Sequence, residues 1–135
     1  MLNADDPTIR VLIADDHPLM RKGLTDILEG AEGIEVVGAA EDGAAAVALA
    51  YAVNPDIVLM DISMPGMDGI EATEKLVEME STARVVMLTS YSEREKITQA
   101  LAAGAVSYLT KDAPPEAVIR AIRSAAASAV VRPAD

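Results

Sequence analysis

Short apolar segments alternate along the whole chain with segments of helical periodicity, and this alternation predicts the fold. We predict strands at Ile9–Ala14, Ile34–Ala39, Asp56–Asp61, Arg84–Leu88 and Val106–Leu109. We predict helices, counting their capping residues, at Leu19–Gly30, Asp42–Val53, Asp68–Met79, Ser92–Ala103 and Pro114–Ser128. Strict alternation of strands and helices is typical of a parallel sheet covered on both faces, so the predicted class is α/β with five βα units.

Local signals refine several of these elements. Four apolar residues in a row, from Ile57 to Met60, indicate a strand that is buried on both faces. Asp42 is predicted to cap the second helix, and Ser92 with Glu95 is predicted to form a capping box before the fourth. For the third helix, helical spacing predicts these inward-facing residues: Ile70, Thr73, Leu76 and Val77.

Composition and charge exclude several function classes. The chain has 135 residues, which suits one compact domain, and 51% of them are hydrophobic, which makes disorder improbable. It lacks cysteine, so disulfides and zinc thiolate sites are excluded. Its 22 acidic and 11 basic residues give a net charge of −11, which disfavours direct binding of nucleic acid. The sequence has no run long enough to span a bilayer and its first residues do not resemble a signal peptide, so we expect a cytoplasmic protein.

Polar side chains stand at the ends of four predicted strands. Asp15 and Asp16 follow the first strand, and Asp61 closes the third. Thr89 follows the fourth strand, and Lys111 comes soon after the fifth. Because sites in open parallel α/β sheets form at the carboxyl ends of the strands, we expect these five side chains to converge at one edge.

A converging set of three carboxylates requires a cation, because like charges repel and burial adds a desolvation cost. Oxygen ligands with room for water favour Mg²⁺ over zinc or copper. Asp61 is the best candidate for a nucleophile because it ends the central strand, which leaves Asp15 and Asp16 to bind the metal directly or through water. Lys111 and the hydroxyl of Thr89 can then bind the oxygens of a phosphoryl group.

This constellation resembles the receiver domains of two-component response regulators. The resemblance is carried by four stretches, which lie within roughly residues 9–128: VLIADDHP, VLMDISMPGMDG, VVMLTSY and GAVSYLTKD. It implies a flavodoxin-like (βα)₅ fold with strand order 2-1-3-4-5. It also implies that a sensor histidine kinase supplies a phosphoryl group to this domain.

The resemblance also implies a role for each matching residue. Asp61 matches the phosphoacceptor. Asp16, Asp61 and the backbone carbonyl of Ser63 match the direct Mg²⁺ ligands, and Asp15 matches the ligand that acts through water. The other matches are the switch hydroxyl of Thr89, the switch aromatic ring of Tyr108 and the phosphate-binding Lys111.

The Asp-His-Pro and Lys-Asp-Ala-Pro stretches resemble the NarL/FixJ subfamily, whose members usually carry a C-terminal LuxR-type helix-turn-helix. We therefore expect a receiver domain over residues 1–128 and, over residues 129–135, the start of a linker to the protein's own DNA-binding domain. Phosphorylation is expected to control homodimerisation and, through the output domain, transcription. Such a domain is a binding switch rather than a turnover enzyme.

Three alternative functions stay open at this point. A Mg²⁺-dependent phosphohydrolase of the aspartyl-phosphate type would need an acid two residues after Asp61, where this chain has Ser63. A pseudo-receiver would bind partners without phosphate, and a flavodoxin-like cofactor binder would be repelled by Asp15 and Asp16. His17, the only histidine, is interpreted as packing at a helix start, without a role in the site.

Overall fold

The computed structural model describes residues 8–128. Residues 1–7 of the predicted receiver domain and the predicted linker at 129–135 lie outside the described residues. The described strands are β1 Ile9–Ala14, β2 Ile34–Ala40, β3 Ile57–Asp61, β4 Arg84–Thr89 and β5 Ser107–Thr110. The helices are α1 Pro18–Glu29, α2 Gly43–Val53, α3 Gly69–Glu78, α4 Ile97–Ala103 and α5 Pro115–Ser128, with a 3₁₀ helix at Tyr91–Lys96 before α4.

All five strands are parallel, and their order in the sheet is β2-β1-β3-β4-β5. This confirms the α/β class and the strand order that the resemblance implied. Asp61 pairs with Leu88 in the neighbouring strand, and Thr89 pairs with Thr110. The register therefore ends β3, β4 and β5 at nearly the same level, and their last side chains share one edge of the sheet.

The helices cover both faces of the sheet, and each face has its own apolar core. Helices α1 and α5 pack on one face, through residues such as Leu28 and Ile122. Helices α2, α3 and α4 pack on the other, through small side chains such as Ala46 and Ala72. Every residue of β3 is buried, which confirms the prediction from its continuous apolar run. Within residues 8–128, no helix combines the length and apolar character needed to cross a membrane.

Capping interactions fix the starts of α2 and α3. The side chain of Asp42 accepts a hydrogen bond from the backbone N–H of Ala45 at 2.7 Å, which confirms its predicted role. Asp68 and Glu71 form a reciprocal capping box at the start of α3. The prediction that Val77 faces inward was wrong, because its side chain lies at the margin of the buried stripe of α3 and is 57% exposed.

The predicted capping box of Ser92 and Glu95 was also wrong. The box is formed two residues earlier, where Glu93 accepts hydrogen bonds from the backbone N–H of Ser90 at 3.0 Å and from its hydroxyl at 2.9 Å. The helical segment therefore starts directly after β4, as the 3₁₀ helix Tyr91–Lys96. This start holds the β4–α4 connection close to the strand ends that carry the candidate site.

Candidate functional site

The carboxyl edge of the sheet brings the predicted acidic residues together. Asp15 follows β1 and Asp61 ends β3, and both side chains are fully buried. Asp16 is partly exposed beside them. Together with His17, these residues each offer one ligand atom, and all four atoms lie within 4.8 Å of one another. The convergence that the strand order predicted is therefore present.

Lys111 provides a positive charge inside this cluster. Its ammonium group donates a hydrogen bond to Oδ2 of Asp61 at 2.9 Å and lies 3.6 Å from Oδ2 of Asp15. Its backbone N–H donates to the carbonyl of Thr89 at 2.9 Å, which fixes the chain where β5 ends. Only 20% of the lysine side chain is exposed. Lys111 follows β5, two strands away from β3 in the sheet, and its side chain reaches Asp61 at the same edge, as predicted.

The site shifts the pKa values of its charged groups. Burial raises the pKa of the Asp61 carboxyl from 3.8 to about 6, against the hydrogen bond from Lys111, and the charge of Asp15 raises it as well. Burial acts to lower the pKa of Lys111, but its hydrogen bond and charge interaction with Asp61 hold this pKa above its usual value. Asp61 is consequently ionised at neutral pH, but its ionisation lowers the stability of the fold, and a further positive charge nearby would offset this loss.

Two buried carboxylate oxygens fit a cation. Oδ2 of Asp15 and Oδ1 of Asp16 are inaccessible to solvent and accept no hydrogen bond within the described part of the chain. Buried charged oxygens are costly unless they are paired or bind a metal. The donors of the cluster are mostly carboxylate oxygens, which suit a hard divalent ion. The residues present therefore fit a Mg²⁺ ion.

His17 was missed by the sequence reasoning as a member of this site. His17 does stand at the start of α1, but its side chain is 63% exposed, so the prediction that it packs there was wrong. Nδ1 of His17 lies 3.0 Å from Oδ1 of Asp15 and 3.1 Å from Oδ1 of Asp16. The available signal was its position directly after the two acidic residues, at the N-cap of α1.

Thr89 and Tyr108 occupy the side of the site where β4 and β5 end. Thr89 is fully buried, and its hydroxyl donates a hydrogen bond to the carbonyl of Ser90 at 3.1 Å. Thr89 and Lys111 both line a cavity of about 250 Å³, which lies between the turn after β4 and the end of β5. Tyr108 lies on the edge strand with 46% of its surface exposed. Thr89 is therefore buried at the same sheet edge as Lys111, whereas Tyr108 is half-exposed.

Ser63 and Glu93 connect two loops across the site. The backbone N–H of Ser63 donates to Oδ1 of Asp61 at 3.3 Å. Burial acts to raise the pKa of Glu93, but hydrogen bonds from the Ser63 hydroxyl and from Ser90 hold this pKa below its usual value. Glu93 thereby links the loop after β3 to the turn after β4. Sequence reasoning did not find Glu93, because the overlapping Ser-x-x-Glu pattern assigned the cap to Glu95.

A glycine holds the start of α3 against the strand that carries Asp61. The backbone N–H of Gly69 donates to the carbonyl of Ile62 at 3.1 Å. A Cβ atom at position 69 would overlap the backbone carbonyl of Asp61, and no movement of a flexible side chain could relieve that overlap. The absence of a side chain at Gly69 therefore sets how closely the helix approaches the site.

The fold and site define a class: a doubly wound α/β protein with a buried aspartate, two further carboxylates and a lysine at the carboxyl edge of its sheet. The family model described as response regulator receiver domain matches residues 11–123. The chain belongs to this family of signalling domains.

The relatives that the comparisons found are response regulators of the NarL and LuxR type. The chain is 44% identical over 117 residues to the transcriptional regulatory protein LiaR of Bacillus subtilis, covering 87% of this chain and 56% of LiaR. It is 39% identical over 131 residues to the nitrate/nitrite response regulator protein NarL of Escherichia coli, covering 97% of this chain and 60% of NarL. The chain thus spans little more than half the length of these two relatives.

A solved structure supports the same assignment. The chain superimposes with a TM-score of 0.86 and 37% identity on the signal receiver domain of a protein described as the response regulator NarL of Mycobacterium tuberculosis. The match covers 90% of this chain and 98% of that domain. The fold and the family assignment therefore agree over nearly all of the described residues.

Proposed function

We propose that this receiver domain accepts a phosphoryl group on Asp61 from a sensor histidine kinase. The observation that carries the proposal is the arrangement around Asp61, whose fully buried carboxylate contacts Lys111 at 2.9 Å and lies beside the carboxylate of Asp15. A buried nucleophile next to one lysine and to acidic oxygens that accept no hydrogen bond is suited to receiving an electrophilic phosphorus atom, with the phosphoryl oxygens held by positive charge.

Each residue has a defined task in this proposal. An oxygen of Asp61 forms a bond to phosphorus while the P–N bond of the donor phosphohistidine breaks, and the leaving imidazole takes up a proton. Lys111 moves from the carboxylate of Asp61 to an oxygen of the acquired phosphoryl group. Asp16, Asp61 and the carbonyl of Ser63 would hold Mg²⁺, with Asp15 acting through water. Mg²⁺ supplies charge neutralisation between the carboxylates and the phosphoryl oxygens.

The proposed switch follows from the added charge. Phosphorylation places up to about two negative charges beside Thr89. Its hydroxyl now donates to the carbonyl of Ser90, and we expect it to turn toward a phosphoryl oxygen instead. Thr89 lies next to β5 in the sheet, so we expect Tyr108 to move inward from its half-exposed position. The surface around β4 and β5 then changes, which would control homodimerisation.

The output of the switch is proposed from the relatives. LiaR is named a transcriptional regulatory protein and NarL a response regulator, and both are considerably longer than this chain. We propose that the chain acts with a DNA-binding domain of its own in a longer, cytoplasmic protein. The net charge of −11 supports placing DNA contacts outside this domain. The domain is accordingly a timed signalling switch, and it is not proposed to turn over a substrate.

The direct test is incubation with a small phosphodonor and Mg²⁺, followed by intact-mass measurement. We expect a gain of one phosphoryl group, which is lost in Asp61→Asn and when Mg²⁺ is chelated. Asp26→Asn is the matched control, because Asp26 is an exposed aspartate on α1 and should leave the gain unchanged. A mass that stays constant at every Mg²⁺ concentration would contradict the proposal, as would a gain that persists in Asp61→Asn.

A further inference from the structure

The imidazole of His17 stands at the opening of the acidic cluster. Nδ1 lies 3.0 Å from Oδ1 of Asp15, 3.1 Å from Oδ1 of Asp16 and 4.0 Å from Oδ2 of Asp61. The proposed phosphoacceptor role gives this histidine no task. Its side chain makes no capping hydrogen bond to α1, so its position is not explained by helix capping.

The contact with Asp15 is a hydrogen bond, and these spacings are also those of neighbouring ligands on one metal ion. Two donor atoms bound at about 2.1 Å and at right angles to each other are separated by about 3.0 Å. Nδ1 of His17 has this separation from one oxygen of Asp15 and from one oxygen of Asp16. A second observation is independent of the histidine: Oδ2 of the fully buried Asp15 accepts no hydrogen bond among the described residues.

The chemistry of the donors then separates two kinds of ion. Mg²⁺ prefers oxygen ligands and gives up its water reluctantly, so an imidazole adds little to its binding. Imidazole suits nickel, zinc and copper, which bind mixed nitrogen and oxygen sites more tightly than magnesium-like ions do. Because 63% of the His17 side chain is exposed, it can turn away from an ion that does not need it.

We propose that His17 is an additional protein ligand of this cation site, which makes the domain bind Ni²⁺ and Zn²⁺ more tightly than its oxygen ligands alone would. The inference rests on the proposed cation site and adds to it a preference among metals. Mg²⁺ is held by the oxygen ligands with His17 in solvent, whereas Ni²⁺ or Zn²⁺ is bound by Nδ1 together with the oxygens of Asp15 and Asp16.

The experiment is calorimetric titration of the unphosphorylated, tag-free domain with Ni²⁺ and, separately, with Mg²⁺ at one fixed pH. The proteins compared are the wild type, His17→Asn and Asp16→Asn. Loss of groups that support a metal site typically lowers metal affinity 10- to 100-fold, so we expect His17→Asn to lose about tenfold or more for Ni²⁺. We expect its affinity for Mg²⁺ to stay unchanged. Asp16→Asn should weaken both metals, which identifies the titrated site.

A second readout uses the fact that the chain has a single histidine. The imidazole proton signals in the NMR spectrum therefore come from His17 alone in a tag-free protein. We expect one equivalent of Ni²⁺ to shift or broaden these signals. We expect that Mg²⁺ does not produce these changes. In Asp16→Asn, Ni²⁺ should no longer change the imidazole proton signals.

The outcomes separate this inference from the proposed function. Equal Ni²⁺ affinity in the wild type and His17→Asn overturns the inference, as does an equal loss for Ni²⁺ and Mg²⁺, which would show a general electrostatic effect. In either case, Mg²⁺ binding that is abolished by Asp16→Asn would still support the proposed cation site. A wild type that binds neither metal overturns both.

Discussion

The neutral variant Asp61→Asn should stabilise the domain at neutral pH in the absence of Mg²⁺. Asparagine keeps the shape of the aspartate side chain but has no charge. Burial raises the pKa of Asp61 from 3.8 to about 6 in the folded protein, so its ionised form destabilises the fold. The substitution removes this ionisation cost, although the side chain loses its charged hydrogen bond with Lys111.

The size and sign of the effect follow from proton linkage. Between pH 4 and 6 the folded protein binds more protons at Asp61 than the unfolded chain does, so the stability of the wild type falls as the pH rises through this range. A pKa shift of about two units makes this cost about 0.5 kcal/mol at pH 4 and about 3 kcal/mol at pH 7. The stability advantage of Asp61→Asn should therefore grow by about 2.5 kcal/mol between these pH values.

The assay is urea denaturation of both proteins at pH 4 and pH 7 with a metal chelator present. The relevant quantity is the difference in unfolding free energy between the two proteins, because the contributions of groups remote from Asp61 cancel in it. Asp26→Asn is the control: the Asp26 side chain is 63% exposed in an ion pair with Lys22, and its loss should change stability by less than about 1 kcal/mol at both pH values. A difference that does not change with pH, or a variant that is less stable at pH 7, would refute the reasoning.

Three further predictions concern the surroundings of Asp61. Gly69→Ala should destabilise the domain in urea denaturation, because the added Cβ would overlap the Asp61 carbonyl. In the control variant Gly23→Ala the added Cβ has free space, and it should stabilise α1 by about 0.5–1 kcal/mol. Equal effects of the two substitutions would contradict the packing argument. Lys111→Met should raise the pKa of Asp61 further, measured by its carboxyl NMR signal, because the lysine now lowers it; an unchanged pKa would refute this. The ring of Tyr91 is 84% exposed and lines the cavity beside Thr89 and Lys111. If this ring shields the phosphoryl group from water, Tyr91→Ala should speed hydrolysis of the phosphorylated domain. An unchanged hydrolysis rate would exclude shielding.

The parallel α/β class and the convergence at one sheet edge were predictable because they depend on patterns that a linear sequence carries. The strand order came from the resemblance to a known family. The apolar run of β3 indicates burial on both faces, and its last residue is Asp61. Once parallel pairing is assumed, Asp15 and Lys111 must lie near the same edge. The Asp42 cap was predictable as well, because a cap requires only one side chain and the next turn of backbone.

The errors came from competition between equivalent local signals. The segment from Ser90 to Glu95 contains two overlapping Ser-x-x-Glu patterns, and only the position at which β4 ends decides between them. That position is set by pairing of Thr89 with Thr110, which is a contact between distant parts of the chain. His17 was interpreted as packing at a helix start, but its ring instead contacts the two acidic residues before it.

The cost of an ionised Asp61 also explains how this edge of the sheet can act as a switch. The carboxylates of Asp15 and Asp61 are buried with one lysine between them, so the unphosphorylated site retains excess negative charge. In the proposed function, a cation would relieve that charge, and a phosphoryl group would renew it beside Lys111 and Thr89. Since the Thr89 hydroxyl now donates to the neighbouring carbonyl of Ser90, its proposed transfer to a phosphoryl oxygen would exchange one hydrogen bond for a charge-assisted one. The net gain per group is small, about 1–2 kcal/mol, which is enough to shift a population between two states by about tenfold without stabilising either permanently.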